Sequence, residues 1–427
     1  MVMIRPFRPL RYNPVLVPHL ESVVAPPYDV ISDAKRDALY DRNRYNVVRL
    51  ILNRDADRYA AAAQVLATWR EERLLVQESQ PSLAYYVENF QLPDGSSYER
   101  SGILGAVRLE SFSGGNIRPH EKTFPSHKAD RMKLLRACRA NLSAIFGMYP
   151  GRDTALDAAR AVAARRKPDM DLTDDAGERH RVWLLSDARS IASITEALAD
   201  AEVVIADGHH RYETALAYRD ERCAAGETDP EAPHNFILMY LTSMNDPGLV
   251  ILPTHRVLRG VAGVDATRIG ELLRRHFRLQ EFPRSESEAF LDALHAAPAH
   301  GSLGVALSTS DHLIVATILD PAVADRYASD LAPEVRGLDV AVLDTVVLRG
   351  LLNIDAVAEA QQGRLTYTHD DREALRELDA GADAVFFMKP PRMADLLAVS
   401  AAGGVMPQKS TYFFPKLLTG LVFHVLD

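Results

Sequence analysis

Val203-Val204-Ile205-Ala206-Asp207-Gly208-His209-His210-Arg211-Tyr212-Glu213 is the stretch on which the reading of this chain turns. An apolar run enters a glycine, which reads as a buried strand that breaks, and Tyr212–Ala225 resumes as a helix. A strand that stops at a glycine and opens a helix predicts an α/β arrangement, in which sites gather at such turns. The first backbone N–H groups of a helix lack partners within it and carry partial positive charge, which suits a phosphate. Gly208 would let the backbone approach that phosphate closely, and Arg211 could clamp it with a bidentate fork. Asp207 could hold Mg²⁺, and His209 or His210 could donate to phosphoryl oxygens or move a proton. The plainer alternative is that Asp207 caps the helix and both histidines are surface residues. Against it, five titratable side chains and a tyrosine share the seven positions from Asp207 to Glu213. A zinc site through His209 and Glu213 lacks a fixed third ligand.

Outward from this stretch, strands and helices alternate. Upstream, Arg181–Leu185 reads as a strand and Ile191–Ala199 as a helix, with further helices over Lys128–Ala140 and Thr154–Arg166. Leu83–Leu92 and Tyr98–Leu109 read as strands joined by a hairpin turn at Pro93-Asp94-Gly95-Ser96. A helix is expected near Asp57–Arg73, with Val65, Leu66 and Trp69 on one stripe. Downstream, Asn235–Thr242 and Leu249–Leu252 read as strands joined through Asn245-Asp246-Pro247-Gly248. Helices follow near Asp265–Phe277 and Ser285–Ala296, then paired strands Leu303–Ser308 and Leu313–Ile318. The last part holds helices near Leu338–Leu348 and Met393–Ala402 and a strand at Ala384–Met388. Strands and helices mixed throughout predict an α/β (mixed α+β) fold.

Four other clusters look chemical. Arg118-Pro119-His120-Glu121-Lys122 surrounds Glu121 with basic neighbours, which would keep it ionised and able to accept a proton from a bound hydroxyl; a solvated charged face is the alternative. Pro253-Thr254-His255-Arg256 follows a strand end, where His255 and Arg256 would add positive charge. Ala25-Pro26-Pro27-Tyr28-Asp29 is a rigid turn that no helix crosses; it either lines a pocket with Tyr28 or is structural only. Met406-Pro407-Gln408-Lys409-Ser410-Thr411-Tyr412-Phe413-Phe414-Pro415-Lys416 sets two lysines and two hydroxyls among aromatics, with Lys409 preferred as the contact to a phosphate or carboxylate.

Composition narrows the class. The 427 residues are 47% hydrophobic and 25% charged, ordinary for a globular chain and enough for two or three domains. Lys plus Arg is 49 and Asp plus Glu is 58, so the net charge is 49 − 58 = −9, which gives no global pull on nucleic acid or anionic membrane. Cys138 and Cys223 make neither a disulfide framework nor a zinc spacing and are expected to be small buried residues. The N-terminal residues show no secretory pattern and apolar runs such as Phe236–Leu241 are too short for a bilayer, so a soluble cytoplasmic protein is expected. Oligomeric state is not legible.

Taken in order, the five clusters resemble a large bacterial and archaeal family known as domain of unknown function 1015 (DUF1015), and the resemblance spans nearly the whole chain. The middle portion is also similar to the ParB/sulfiredoxin-like superfamily, and within it to the free serine kinases, which pass a phosphoryl group to the hydroxyl of free L-serine and give O-phosphoserine. The resemblance implies an N-terminal α/β segment with a β-hairpin over 1–110, a ParB/sulfiredoxin-like phosphate-binding core over 111–259 and a C-terminal α/β domain over 260–427. It implies Glu121 as base, with His120 and His210 beside it in catalysis. Asp207 would hold Mg²⁺ or another divalent cation, and Gly208, His209, Arg211, His255, Arg256 and Lys409 would contact phosphate or nucleotide. ATP, ADP or pyrophosphate would be the donor and an amino acid the acceptor. About 85 residues separate Glu121 from Asp207. The kinases place these motifs closer, so an insertion near 154–199 is expected to loop out. A phosphatase acting on a small phosphorylated metabolite, or a nucleotide-binding switch without turnover, would use the same cradle. The wider superfamily includes DNA-partitioning proteins, but the negative charge and the lack of a helix-turn-helix or basic tail speak against DNA.

Overall fold

A computed structural model describes every residue except Met1, Phe124, Arg152, Ala262, Gly263, Asp265 and Asp427. The expected helix start at Asp265 lies outside the described residues. The chain divides into two units: Met1–Pro119, Thr123–Val250 and Pro415–Asp427 form the first, His120–Lys122 and Ile251–Phe414 the second.

Nine strands make one mixed sheet in the first unit: β1 (Ile4–Arg5), β2 (Leu83–Gln91), β3 (Ser97–Arg108), β4 (Ile117–Arg118), β5 (Ile145–Tyr149), β6 (Met170–Thr173), β7 (Arg179–Leu185), β8 (Val203–Asp207) and β9 (Phe236–Ser243). Their order is β4-β8-β5-β9-β3-β2-β7-β6, and β1 pairs with the end of β3. β2 and β3 are the expected hairpin: Gly95 takes φ +85° and the Asp94 carboxylate accepts from the Ser96 N–H at 2.8 Å. β9 is buried along all eight residues because β5 and β3 flank it, which is why it reads as an unbroken apolar run. It does not pair with Val250–Leu252, which pairs instead with Tyr412–Phe414. The segment near 154–199 does not loop out. It supplies β6 and β7, with Val182 of β7 opposite Tyr86 of β2, at the edge of the sheet.

The longer helices of this unit are α1 (Arg58–Glu71), α2 (Pro125–Cys138), α3 (Ala188–Leu198) and α4 (His209–Ala224). Ile194 and Leu198 of α3 and Tyr212 and Ala215 of α4 pack with Tyr85, Ile103, Ile205 and Met239 on one sheet face. A second core gathers Leu66 and Trp69 of α1, Leu134 of α2, and Phe423 and Val425 from the chain's last segment. That segment is held by bridges from Leu10 to Phe423 and from Ala25 to Thr419, and by pairing of His424 with Asn141. Cys138 is buried as expected, but Cys223 is exposed: it falls near the end of α4, away from the face that packs on the sheet.

Six strands make the larger sheet of the second unit: β10 (His255–Leu258), β11 (Phe277–Pro283), β12 (Ser302–Leu307), β13 (His312–Ile318), β14 (Leu365–Thr368) and β15 (Ala384–Phe387). The order is β11-β13-β12-β15-β10-β14, antiparallel throughout. β12 and β13 are the expected pair. Val257, Phe290, Leu313, Val315, Leu378 and Phe387 form its core. The helix expected over Leu338–Leu348 is α-helical only at Asp339–Ala341 and continues as a π-helix from Val342 to Leu351. The fold is a mixed α/β one, and among the described residues no helix is long and apolar enough to cross a membrane.

Candidate functional site

In the first unit β8 leads into the Asp207–Arg211 turn. Its pairing with β5 slips between Ile205 and Asp207, a bulge of the kind that re-aims side chains at strand ends. Gly208 follows at φ +92°, a left-handed conformation that reverses the chain within one residue. α4 therefore starts at His209, three residues earlier than expected, and His209, His210 and Arg211 form its first turn. The N-cap residue is Gly208 itself, which has no side chain to cap the helix with.

Asp207 is accordingly not a cap. Its carboxylate accepts from Lys416 Nζ at 2.8 Å and from Arg211 Nη2 at 3.0 Å. Burial works to raise its pKa, but the Lys416 and Arg211 charges outweigh it and hold the carboxyl well below the usual range. Arg211 also donates to the Ala144 carbonyl, so its fork is used to fix Asp207. His209 is buried, and the His210 ring lies 5.0 Å from that of His127. Glu213, one turn on, accepts from Lys128 Nζ at 2.6 Å and from Thr123 Oγ1 at 3.0 Å. The Pro26-Pro27 turn does bring Tyr28 to a cavity, of about 60 Å³, which Arg131, Ser143 and Arg211 also line. The Tyr28 ring stacks on the Arg131 guanidinium at 3.9 Å, and burial pushes its hydroxyl up to about 12.

Lys416 is the residue that sequence reasoning passed over in favour of Lys409. A signal for it exists: a single cation in the otherwise apolar run Phe413-Phe414-Pro415-Lys416-Leu417-Leu418 needs a buried partner.

The remaining candidates belong to the second unit, where three sequence clusters meet. Glu121 bridges in parallel to Met406, and its Oε1 accepts from the Lys409 N–H at 2.6 Å. Lys409 is held at φ +59°, so its backbone is the part that serves Glu121. His120 is fully buried, with Nε2 2.9 Å from Thr411 Oγ1. His255 is buried within β10; its Nδ1 accepts from the Met388 N–H, which leaves Nε2 as the protonated nitrogen, 3.1 Å from Asp371 Oδ1. Arg256 donates to the carbonyls of Thr254 and Lys409. A cavity of about 340 Å³ opens beside it, lined by Thr254, Arg256, Asp339, Lys389, Arg392 and Ser410 among others. Burial pushes the Asp339 carboxyl up to about 6, against the opposing charge of Lys389 at 3.3 Å. The ten candidate residues thus fall into two groups, Asp207–Arg211 in one unit and His120, Glu121, His255, Arg256 and Lys409 in the other.

The donor set at Asp207 can be weighed against Mg²⁺. Magnesium needs several oxygen ligands in octahedral array and is commonly carried on substrate phosphates. Here a single carboxylate already accepts from two cations on its two oxygens. That is a poor protein-borne Mg²⁺ site, and no step below depends on one.

Comparison with known proteins adds the following. A family described as a protein of unknown function (DUF1015) matches residues 4–341. No curated protein matches. Among solved structures, a free serine kinase in complex with ADP is similar at 12% identity and a TM-score of 0.37, covering 72% of this chain and 89% of that one. A conserved hypothetical protein from Pyrococcus furiosus is similar at 13% identity and 0.35, over 72% and 92% of the two chains. SbnI with a C-terminal truncation, from Staphylococcus aureus, is similar at 12% and 0.35, over 75% and 86%.

Proposed function

The chain belongs to the DUF1015 family, matched over residues 4–341, and from that footing we propose that it is a small-molecule phosphotransferase that holds its donor's phosphates at the first turn of α4. The observation that carries this reading is the Asp207–Arg211 turn. There a helix of 16 residues opens on a left-handed glycine, and the N-terminal end of a helix, with its N–H groups and the positive end of its dipole, suits a phosphate. Lys416 and Arg211 against Asp207 leave a local charge of 2 − 1 = +1. In a chain of net charge −9 it is this local charge that would draw an anion. Phosphoryl transfer asks chiefly for positioning and charge neutralisation, and Asp207 locked between two cations keeps the turn in one arrangement.

The acceptor in this reading is the hydroxyl of free L-serine and the donor is ATP, ADP or pyrophosphate. The donor's terminal P–O bond breaks as the serine oxygen bonds to phosphorus, the rest of the donor leaves with the bridging oxygen, and a general base takes up the hydroxyl proton.

Phosphorus NMR of the purified protein with L-serine and Mg²⁺, run separately against each donor, tests the reading. An O-phosphoserine signal is expected with at least one donor. Release of inorganic phosphate alone would turn the reading into a phosphatase, and no turnover with any donor would remove the transferase.

A further inference from the structure

We propose that the turn between β6 and β7 is a binding site for a divalent transition-metal ion, ligated by Asp174, Glu178 and His180. The site is independent of the phosphotransferase reading. Among the described residues these three are the one group of at least three His, Cys, Asp or Glu side chains whose ligand atoms converge, all within 4.8 Å of one another. Asp174 is the first residue beyond β6, Glu178 the last before β7, and His180 lies on β7 itself, fully buried.

The hydrogen bonds around His180 decide which nitrogen faces the acids. Its Nδ1 is 2.7 Å from the Tyr86 hydroxyl, and that hydroxyl donates to Glu88 Oε1 at 3.0 Å. Arg100 holds the other Glu88 oxygen with Nε at 2.9 Å and Nη2 at 2.6 Å. Nδ1 is thus taken up by the tyrosine, and Nε2 is the nitrogen turned to the acids. His180 Nε2 has no hydrogen-bond partner although the ring is completely buried. What it faces is Asp174 Oδ2, 3.6 Å away. A cation between the two atoms would satisfy both. Ligand atoms about 2.1 Å from one tetrahedral ion sit roughly 3.4 Å apart, close to the spacing found.

The acids are arranged to match. Asp174 Oδ1 is tied down by the N–H groups of Ala176 at 2.9 Å and Glu178 at 3.0 Å, which directs Oδ2 to the site. Glu178 is 8% exposed, and its carboxylate lies with Asp174 and His180 in the same cluster. Ionised together on a bound ion, the two carboxylates would supply the two negative charges that one divalent ion needs. An imidazole with two carboxylates suits zinc, manganese or ferrous iron better than magnesium or calcium, which prefer all-oxygen sets. The Arg100–Glu88–Tyr86–His180 chain is an outer layer of the kind that fixes the tautomer of a metal-bound histidine. Such an ion would clasp both ends of the turn to the sheet edge.

Untagged full-length protein, stripped with chelator, would be titrated with Zn²⁺ by calorimetry and with Co²⁺ by visible absorption. One equivalent is expected to bind, with a Co²⁺ band and a raised unfolding temperature. Glu178→Gln and Asp174→Asn should each weaken binding at least tenfold; asparagine can still accept the two turn N–H groups. Tyr86→Phe, which keeps all three ligands and removes only the group that orients His180, should weaken it about tenfold. Absence of binding in the wild-type protein, or equal affinity in wild type and all three variants, would overturn the assignment.

Discussion

Asp207 shows how much a single residue's role depends on a distant one. Its place between an apolar strand and a glycine is local information, but its ion pair with Lys416 joins positions 209 residues apart. Lys416→Met would lower the charge of the turn from +1 to 0 and leave Asp207 with Arg211 alone. Because a hydrogen bond to a charged group contributes about 1.5–3 kcal/mol, affinity for ADP should fall by roughly 10–100-fold by calorimetry. Unchanged affinity would remove Lys416 from the donor site. His424 gives a prediction of the same scale for stability. Burial lowers its pKa from the ordinary 6.5 to about 4, with Arg5 adding to the effect. Between those values the unfolded chain binds a proton that the folded chain refuses, so stability is complete above pH 6.5 and is lost as pH falls toward 4. Urea unfolding across that window should show the wild type losing up to about 3 kcal/mol more than His424→Gln; parallel curves would refute it.

Elements with strong local signals were legible. The β2–β3 hairpin, β7, β8 and β9 lie within two residues of where apolar runs and turn residues put them. β6 and β14 were not legible, since four residues each are too few for a periodic pattern and their strand state is imposed by neighbours β7 and β10. The start of α4 was misplaced for a different reason. His209, His210 and Arg211 look like turn residues, but a left-handed Gly208 completes the turn alone and commits them to the helix. Gly208→Ala tests that at the level of the element. An alanine at φ +92° costs roughly 1–2 kcal/mol, and its Cβ would stand 2.9 Å from Arg211 Nη2 and Ile145 Cδ1, so the Arg211 fork on Asp207 would have to give as well. The expected result is a midpoint lowered by that amount in urea together with weakened ADP binding. A loss of ADP binding without a loss of stability would mean that backbone conformation is not what α4 contributes.

For the whole molecule, the consequential feature is that the chain leaves the first unit after Val250 and returns at Pro415. The returning segment is part of the first unit's interior. Phe423 and Val425 pack with Tyr12, Leu66 and Trp69, and the Pro415 carbonyl accepts from the fully buried Arg100 at 2.7 Å. Removing Pro415–Asp427 would open that core, where a buried phenylalanine alone is worth about 3–5 kcal/mol, and would strip Arg100 of one acceptor. Expected are loss of the cooperative unfolding transition of the first unit and dye binding to exposed apolar surface. A truncated chain that unfolds at the wild-type midpoint would contradict this.

The mixed α/β class, the hairpin and the strand–glycine–helix turn at Asp207 were all determined by sequence alone, because each rests on hydrophobic period or backbone freedom within a dozen residues. The same holds for the ordered motifs that mark the family. Only the tertiary structure decided that Lys416 rather than Lys409 meets Asp207, that Lys409 serves Glu121 through its backbone, and that Asp174, Glu178 and His180 converge on a bare ring nitrogen. Those outcomes depend on side chains from strands and segments far apart in the chain. Ion pairing and burial act over ångströms in space and leave no period in the sequence.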